Sequence, residues 1–230
     1  MSTFIQLNYQ LFRAINTHAG HTPLLDALMI FCANLLIFFW PLLMLALWGR
    51  PLSWRKRPLR VGEVEVISEC RAVVLWIGVA CILAYAFNLT LEHFIFEPRP
   101  FISHHVHLLV THPADDSFPS DHAAWSFAVV GMLLFMLPPV FFSTWRKRTA
   151  QKSNSNVVSL VSPLLLMIVA LIISCSIGVA RVFVGVHYPG DIIGGALDGL
   201  IAAGIVTLIR YWLRKPTEAV IHFAQNVHLA

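Results

Sequence analysis

The sequence predicts an all-α protein: a polytopic membrane bundle of five transmembrane helices, preceded by an N-terminal amphipathic helix. Composition is the first reason, because 57% of the 230 residues are apolar and only 12% are charged. Soluble domains carry about twice that share of charged residues. The second reason is that long apolar stretches recur along the chain. Since so few charges cannot cover the surface of a water-soluble fold, a bilayer is the expected solvent.

Each predicted element follows from the hydropathy of its segment. Residues 1–18 are too polar to cross a bilayer, but apolar side chains recur there at helical spacing, which indicates a helix lying on the membrane surface: Phe4, Leu7, Leu11 and Ile15. Five stretches then reach the roughly 20 residues that a helix needs to span hydrocarbon: 24–48, 72–91, 123–144, 157–178 and 192–213. A chain of this length holds one such bundle, so a single domain over residues 1–230 is expected.

The basic residues predict the orientation of the bundle. Thirteen of the 16 lysines and arginines lie in segments 50–71, 146–152 and 210–215. Five spans put these three segments on one side, which the positive-inside rule makes cytoplasmic. Short basic runs between apolar stretches indicate membrane orientation, not nucleic-acid binding. The other side holds only Arg13 and the two residues Arg99 and Arg181.

Two outer connections, 92–121 and 179–191, hold the polar residues that predict chemistry. Each ends where a spanning helix is expected to begin, after a proline. The candidate site residues, in chain order, are Arg99, Ser120, His122, Arg181, His187 and Asp191. They belong to the patterns Arg-Pro, Pro-Ser-x-His and Arg-x5-His-x3-Asp.

These residue types suit phosphate chemistry. The backbone N–H groups at a helix start are unsatisfied and favour an anion. Two arginines beside them would bind phosphate by charge-assisted hydrogen bonds, and the Ser120 hydroxyl would add a donor. Two histidines, His122 and His187, supply a nucleophile and an acid for the leaving oxygen. Asp191 would fix the tautomer of His187 and keep its other nitrogen available.

In this order, the three patterns resemble the type-2 phosphatidic acid phosphatase superfamily of membrane lipid phosphatases. Segments 114–122 and 185–191 look like its bacitracin-resistance branch, whose members remove a phosphate from undecaprenyl diphosphate on the outer leaflet. The resemblance implies a polyprenyl diphosphate substrate, no cofactor and no metal. It also implies a multi-pass protein of the bacterial inner membrane, with its site facing the periplasm or the cell exterior.

The resemblance assigns a role to each site residue. His187 attacks the terminal phosphorus and becomes a phosphohistidine, and Asp191 orients it. His122 protonates the leaving oxygen and then activates the water that hydrolyses the intermediate. The remaining three bind phosphate oxygens: Arg99, Ser120 and Arg181.

Three positions depart from the family pattern. Glu92 stands seven residues before Arg99, where the family has a lysine, and a carboxylate cannot take over the role of that lysine. Ala180 replaces a serine before Arg181, and Asp121 replaces a glycine. These departures bear on phosphate binding more than on the catalytic histidines.

Several alternatives stay open at this level. Four histidines of the first outer connection could form a metal cluster, gate the substrate or belong to a solvated loop: His104, His105, His107 and His112. Asp198, inside the last span, is an intramembrane acid and therefore a functional candidate. The enzyme could also be a phosphatase or a phosphotransferase that acts on another lipid: phosphatidylglycerophosphate, phosphatidic acid or lipid A. A transporter that binds an anionic headgroup without chemistry is the alternative outside the enzymes.

Overall fold

The structure is a computed structural model. It describes the backbone of residues 3–49, 61–150 and 163–226, and the side chains of residues 3–49, 71–136 and 165–226. Within these ranges the regular elements are nine α-helices and one 3₁₀ turn, Leu36–Phe38. The helices are α1 (Thr3–Asn16), α2 (Pro23–Asn34), α3 (Phe39–Trp48), α4 (Val61–Glu92), α5 (Pro100–Ser103), α6 (Asp121–Ala150), α7 (Pro163–Phe183), α8 (Pro189–Ile209) and α9 (Arg214–Asn226). The all-α prediction is confirmed.

Long apolar helices form the bundle. Among the described residues, three are long and apolar enough to span a membrane: Arg71–Glu92, Leu165–Phe183 and Pro189–Ile209. The segments Pro23–Asn34 and Leu36–Trp48, bent by 44°, are a fourth candidate when they are counted as one span. The apolar part of α6 whose side chains are described, Asp121–Met136, is shorter than a full span, so the count of five stays a prediction. Part of the predicted fourth span, 157–162, lies outside the described residues.

The first span is interrupted near its middle. The 3₁₀ turn separates α2 from α3 one turn before Pro41. Proline has no N–H for the carbonyl four residues earlier, and its ring collides with that carbonyl. The helix therefore breaks around Ile37 and restarts with Pro41 in the first turn of α3.

Helices α6 and α8 pack closely because α8 carries glycines on the contact face. A Cβ atom at Gly195 would overlap the carbonyl oxygen of Ser120, and one at Gly199 would overlap that of Ala124. Small residues four apart let two membrane helices approach to backbone contact. This packing brings the starts of the two helices together.

Helix α1 packs one face against the protein and exposes the neighbouring face. Phe12 is only 1% exposed and contacts Val182 and Tyr188. Phe4 and Leu7, from the apolar stripe predicted to meet the membrane, are exposed. Sequence reasoning identified the exposed stripe, whereas the buried face appears only in the structure.

Candidate active site

The polar residues gather at one end of the bundle, where α4 and α7 end and α6 and α8 begin. The second connection is shorter than predicted, because α7 continues to Phe183 and α8 begins at Pro189. Arg181 therefore lies in the last turn of α7, and Asp191 is the third residue of α8. The chain turns at Gly185, whose φ of +91° suits glycine, and a Cβ there would lie 2.9 Å from the His107 carbonyl oxygen.

His187 is the centre of the site and is 2% exposed. Its Nδ1 lies 3.0 Å from the Ser117 carbonyl oxygen and 3.3 Å from Asp191 Oδ2. Both of these atoms are acceptors, so Nδ1 carries the proton. Its Nε2 lies 3.1 Å from Arg99 and 3.3 Å from Arg181, which are donors only. The geometry thus leaves Nε2 with a lone pair.

Burial and the two arginines keep His187 neutral. Burial contributes most to lowering the pKa of its imidazole well below the ordinary value, and the charges of Arg181 and Arg99 lower it further. A neutral imidazole with its proton on Nδ1 is the form that attacks phosphorus through Nε2.

Asp191 is held by three donors. Its Oδ2 accepts the Tyr188 backbone N–H at 2.7 Å and the Ser117 hydroxyl, and it faces His187 Nδ1. The first of these bonds caps the start of α8. The carboxylate is fully buried, and its Oδ1 has no hydrogen-bond partner within the part of the chain that is described.

The two arginines converge on His187 from different elements. Arg99 precedes α5, donates to the Val186 carbonyl oxygen at 3.0 Å and pairs with Asp115 at 2.6 Å. Arg181 comes from α7, and its Nε is buried without a partner among the described residues. Two buried guanidinium groups aimed at one atom repel each other unless an anion lies between them, so this is where a phosphate would be most stabilised.

The start of α6 completes the site. The Ser120 N–H donates to the Asp191 carbonyl oxygen at 3.1 Å, which joins the starts of α6 and α8. The Ser120 hydroxyl is buried and has no partner among the described residues, so it is a free donor for an anion. His122 is half-buried in the first turn of α6 and interacts electrostatically with Arg181 and His187. The six residues predicted from sequence thus lie at one end of the bundle.

An apolar cavity of about 560 Å³ leads away from His122. It lies between the broken first span, α4 and α6, and residues of all three form its wall. The polar side chains His122 and Asn34 are part of a lining that also includes Trp40, Cys81, Tyr85 and Trp125. Cavities of this size and character hold apolar ligand groups.

Two of the residues that differ from the family pattern, Glu92 and Asp121, do not pair with the site arginines in the described structure. Glu92 ends α4 and forms no ion pair with Arg99 or Arg181 in the described structure. Asp121 accepts a hydrogen bond from Asn88 of α4 at 2.8 Å. Its carboxylate is therefore turned towards α4.

Sequence reasoning missed Ser117 as a site residue, whereas Asp115 follows from the sequence only as a residue of a substrate-side loop or of a turn. Ser117 donates its hydroxyl to Asp191 and presents its carbonyl oxygen to His187, so it ties the two connections together. Its N–H bonds the Glu97 carbonyl oxygen at 2.7 Å. Both residues stand inside the segment quoted for the family resemblance. A single sequence does not reveal the contacts that give them a role.

Two buried asparagines of α1 were also missed. Asn8 accepts the Gly190 N–H at 2.8 Å. Asn16 donates to the carbonyl oxygens of His107 and Phe183, both at 2.8 Å, and accepts the His107 N–H at 2.9 Å. Helix α1 therefore holds the backbone on both sides of His187.

The four histidines of the first connection do not act as a unit. His104 packs on Tyr9, with ring centroids 4.1 Å apart, and His107 lies near His21. His105 is exposed, whereas His112 reaches the site. Among the residues that the structure describes, no group of three or more metal-ligating side chains is arranged to hold a metal ion.

Asp198 lies two turns into α8 beyond Asp191 and is buried. Its Oδ2 has no hydrogen-bond partner in the described part of the chain. It lies outside the set of residues that surround His187.

Comparison with known proteins agrees with the motifs. A family model described as the PAP2 superfamily matches residues 73–215. Undecaprenyl-diphosphatase BcrC of Bacillus subtilis (strain 168) is 30% identical over 96% of this chain and 93% of its own length. The putative undecaprenyl-diphosphatase YbjG of Escherichia coli (strain K12) is 32% identical over 85% of this chain and 78% of its own.

The fold comparison gives the same architecture. The crystal structure of a transmembrane PAP2 type phosphatidylglycerolphosphate phosphatase from Bacillus subtilis has a TM-score of 0.59 at 20% identity. The match covers 92% of this chain and 89% of the other. This likeness concerns the fold alone. The family match covers more than half of the chain and includes every predicted site residue, so the family predicted from the motifs is confirmed: the chain belongs to the PAP2 superfamily.

Proposed function

We propose that this membrane protein removes the terminal phosphate of undecaprenyl diphosphate through a phosphohistidine on His187. The relatives named above carry that activity in their names, and they match most of the chain. The observation that carries the proposal is the neutral, fully oriented His187, whose unprotonated Nε2 faces two buried arginines. Recycling of a cell-wall carrier lipid, and with it bacitracin resistance, would be the biological outcome.

In the first step, His187 Nε2 attacks the terminal phosphorus. The N–P bond forms as the bond from phosphorus to the bridging oxygen breaks, and undecaprenyl phosphate leaves. His122 gives its proton to the leaving oxygen. Asp191 and the Ser117 carbonyl oxygen stabilise the Nδ1–H side of the ring as positive charge develops.

In the second step, water replaces the histidine. His122, now neutral, takes a proton from water as the water oxygen attacks phosphorus and the N–P bond breaks. Inorganic phosphate leaves and His187 is again neutral. Arg99, Arg181 and the Ser120 hydroxyl bind the phosphate oxygens in both steps, with N–H groups at the start of α6 nearby.

The apolar cavity supports a lipid substrate with a long chain. The leaving oxygen stays on the second phosphate of the substrate and must lie beside His122. The chain on that phosphate therefore starts on the His122 side of the site. The cavity begins there and is lined almost entirely by apolar side chains. It fits the first isoprene units of a polyprenyl diphosphate, while the rest of the chain stays in lipid.

The charge distribution supports an outward-facing site in the cytoplasmic membrane. His187 and both site arginines lie at the end of the bundle opposite Arg210 and Arg214. By the positive-inside rule, this arrangement supports a site in the periplasm or at the cell exterior. A membrane-impermeant thiol reagent should label His105→Cys in intact spheroplasts and spare Arg214→Cys, and the reverse pattern would contradict this orientation.

A substrate panel tests the proposed activity. Purified protein in mixed micelles receives undecaprenyl diphosphate, phosphatidylglycerophosphate, phosphatidic acid or lipid A, and phosphate release is measured. We expect kcat/KM to be at least about tenfold higher for undecaprenyl diphosphate, because its first isoprene units would fill the apolar cavity beside His122. Faster release from a glycerolipid would contradict the substrate. No release from any of the lipids would favour a transporter.

A variant that fills the cavity distinguishes binding of the lipid chain from binding of the headgroup. Cys81→Trp should lower kcat/KM for undecaprenyl diphosphate by about tenfold, because a bulky ring occupies the space of the chain. A water-soluble diphosphate without an isoprenoid chain should be hydrolysed as before. Ile172→Trp on the exposed face of α7 is the matched control. Equal loss with both substrates would remove the cavity from the proposal.

A further inference from the structure

His112 is a half-buried histidine of the first outer connection whose side chain is 19% exposed. Its Nε2 lies 3.0 Å from an amino group of Arg181. Its ring centroid is 6.3 Å from that of His187, at an interplanar angle of 73°. His112 therefore borders the space in front of the attacking nitrogen.

The surroundings of His112 decide which of its nitrogens carries the proton. Its Nδ1 lies 3.2 Å from the Pro113 carbonyl oxygen and 3.6 Å from Asp115 Oδ1. Since both are acceptors, the proton is on Nδ1. The lone pair of Nε2 then accepts the Arg181 N–H. Asp115 also pairs with Arg99, so one carboxylate links the histidine to the second arginine.

Charged groups on several elements face His112. Arg99 lies before α5, Arg181 lies on α7, and Asp115 lies in the same connection as His112. His122 and His187 are the other titratable groups that interact electrostatically with His112. Burial contributes most to lowering the pKa of His112, followed by Arg99; Asp115 raises it by less. Near neutral pH the imidazole is thus uncharged, beside two cations.

A bound phosphate reverses this balance. Its oxygens would occupy the space between Arg99 and Arg181, and Arg181 would turn its N–H groups from the histidines to the anion. His112 Nε2 would then face a phosphate oxygen. A nearby anion favours the charged form of an imidazole, so a proton added at Nε2 would be shared with that oxygen.

We propose that His112 is a third cationic phosphate-binding residue, which takes up a proton when a phosphoryl group binds and donates Nε2–H to one of its oxygens. The inference rests on the proposed function, because it assigns a further residue to the same site. Glu92 forms no ion pair with either site arginine in the described structure, and at the position of the family's lysine it brings no positive charge to the site. His112 supplies that charge from a different connection.

Phosphate binding tests the inference without turnover. The full chain in detergent is heated with increasing inorganic phosphate at about pH 6 and about pH 8, and the rise in unfolding temperature gives the affinity. When the pH falls from about 8 to about 6, the phosphate affinity of the wild type should rise about tenfold more than that of His112→Gln. The glutamine side chain hydrogen-bonds but cannot become charged. His112→Lys should restore affinity at the higher pH, and the exposed His105→Ala should match the wild type.

Turnover provides the second readout. His112→Gln should raise KM by about tenfold and change kcat less, because charge binds the phosphoryl group in the ground state as well. Unchanged phosphate affinity and pH dependence in His112→Gln would overturn the inference, even if hydrolysis fell, since His112 would then only position Arg181. If undecaprenyl diphosphate is not hydrolysed but phosphate binding depends on His112, the proposed substrate fails and this inference stands.

Discussion

The two site histidines lie at neighbouring helix starts but in opposite surroundings. His187 is buried, and both of its ring nitrogens have polar neighbours. Ser117 and Asp191 lie beside Nδ1, and two arginines face Nε2. His122 is half-buried, opens onto the apolar cavity, and has no hydrogen bond among the described residues.

This difference matches the two proposed chemical roles, nucleophile for His187 and general acid for His122. A nucleophile must present one nitrogen along one line of attack, so its orientation is best fixed before substrate binds. A general acid has to follow an oxygen that stays attached to a large lipid, so it needs room and an apolar border. The proposed division of labour between His187 and His122 can be tested by removing each group and its supports in turn.

The largest effect is expected from removing the nucleophile. His187→Ala should lower kcat on the order of 10⁴-fold, because no other group lies where Nε2 does. Radiolabelled substrate should leave no acid-labile phosphate on the variant protein. An unchanged unfolding temperature provides the control, and undiminished phosphate release would rule out the phosphohistidine.

Removing the acid should have an effect that depends on the leaving group. His122→Ala should slow hydrolysis of undecaprenyl diphosphate by about 10²–10⁴-fold. An aryl phosphate with an acidic phenol needs no proton to leave, so it should still phosphorylate His187 and give a burst followed by slow hydrolysis. Equal losses for the two substrates, without a burst, would contradict the assignment of His122.

A smaller effect is expected from the support given by α1. Asn8→Ala leaves the Gly190 N–H without its acceptor and loosens the turn that carries His187. We expect kcat to fall by about tenfold and the free energy of unfolding to fall by about 1 kcal/mol. Gln10→Ala, on an exposed face of the same helix, is the control. Full activity in the Asn8 variant would show that α1 does not position the site.

The smallest effect concerns Glu97, whose carbonyl oxygen supports Ser117. Burial and the Asp191 charge raise the pKa of the Glu97 carboxyl from 4.5 to about 7. The fold thus favours the protonated acid, and the resulting stabilisation is present below pH 4.5 and is lost as pH rises through about 7. Glu97→Gln should raise the unfolding temperature above that pH and change little at acidic pH. The opposite pH dependence would contradict a half-buried, protonated Glu97.

How much of the site could be predicted depends on how local its geometry is. Arg181, His187 and Asp191 lie within one helix-turn-helix segment, so a fixed spacing already constrains their positions. Ser120 and His122 share the first turn of another helix. By contrast, Ser117, Asp115 and the α1 asparagines act through contacts between segments far apart in the chain, which periodicity and spacing do not encode.

The sequence alone determined the membrane character of the chain and its helices, and it predicted the side on which the candidate residues lie. Hydropathy and the bias of positive charge are properties of one segment at a time. Only the tertiary structure decided that α7 extends through Arg181, that the first span breaks before Pro41 and leaves a cavity beside His122, and that His112 reaches the site. These features depend on how distant helices pack, because a side chain acquires its partners only when the bundle closes.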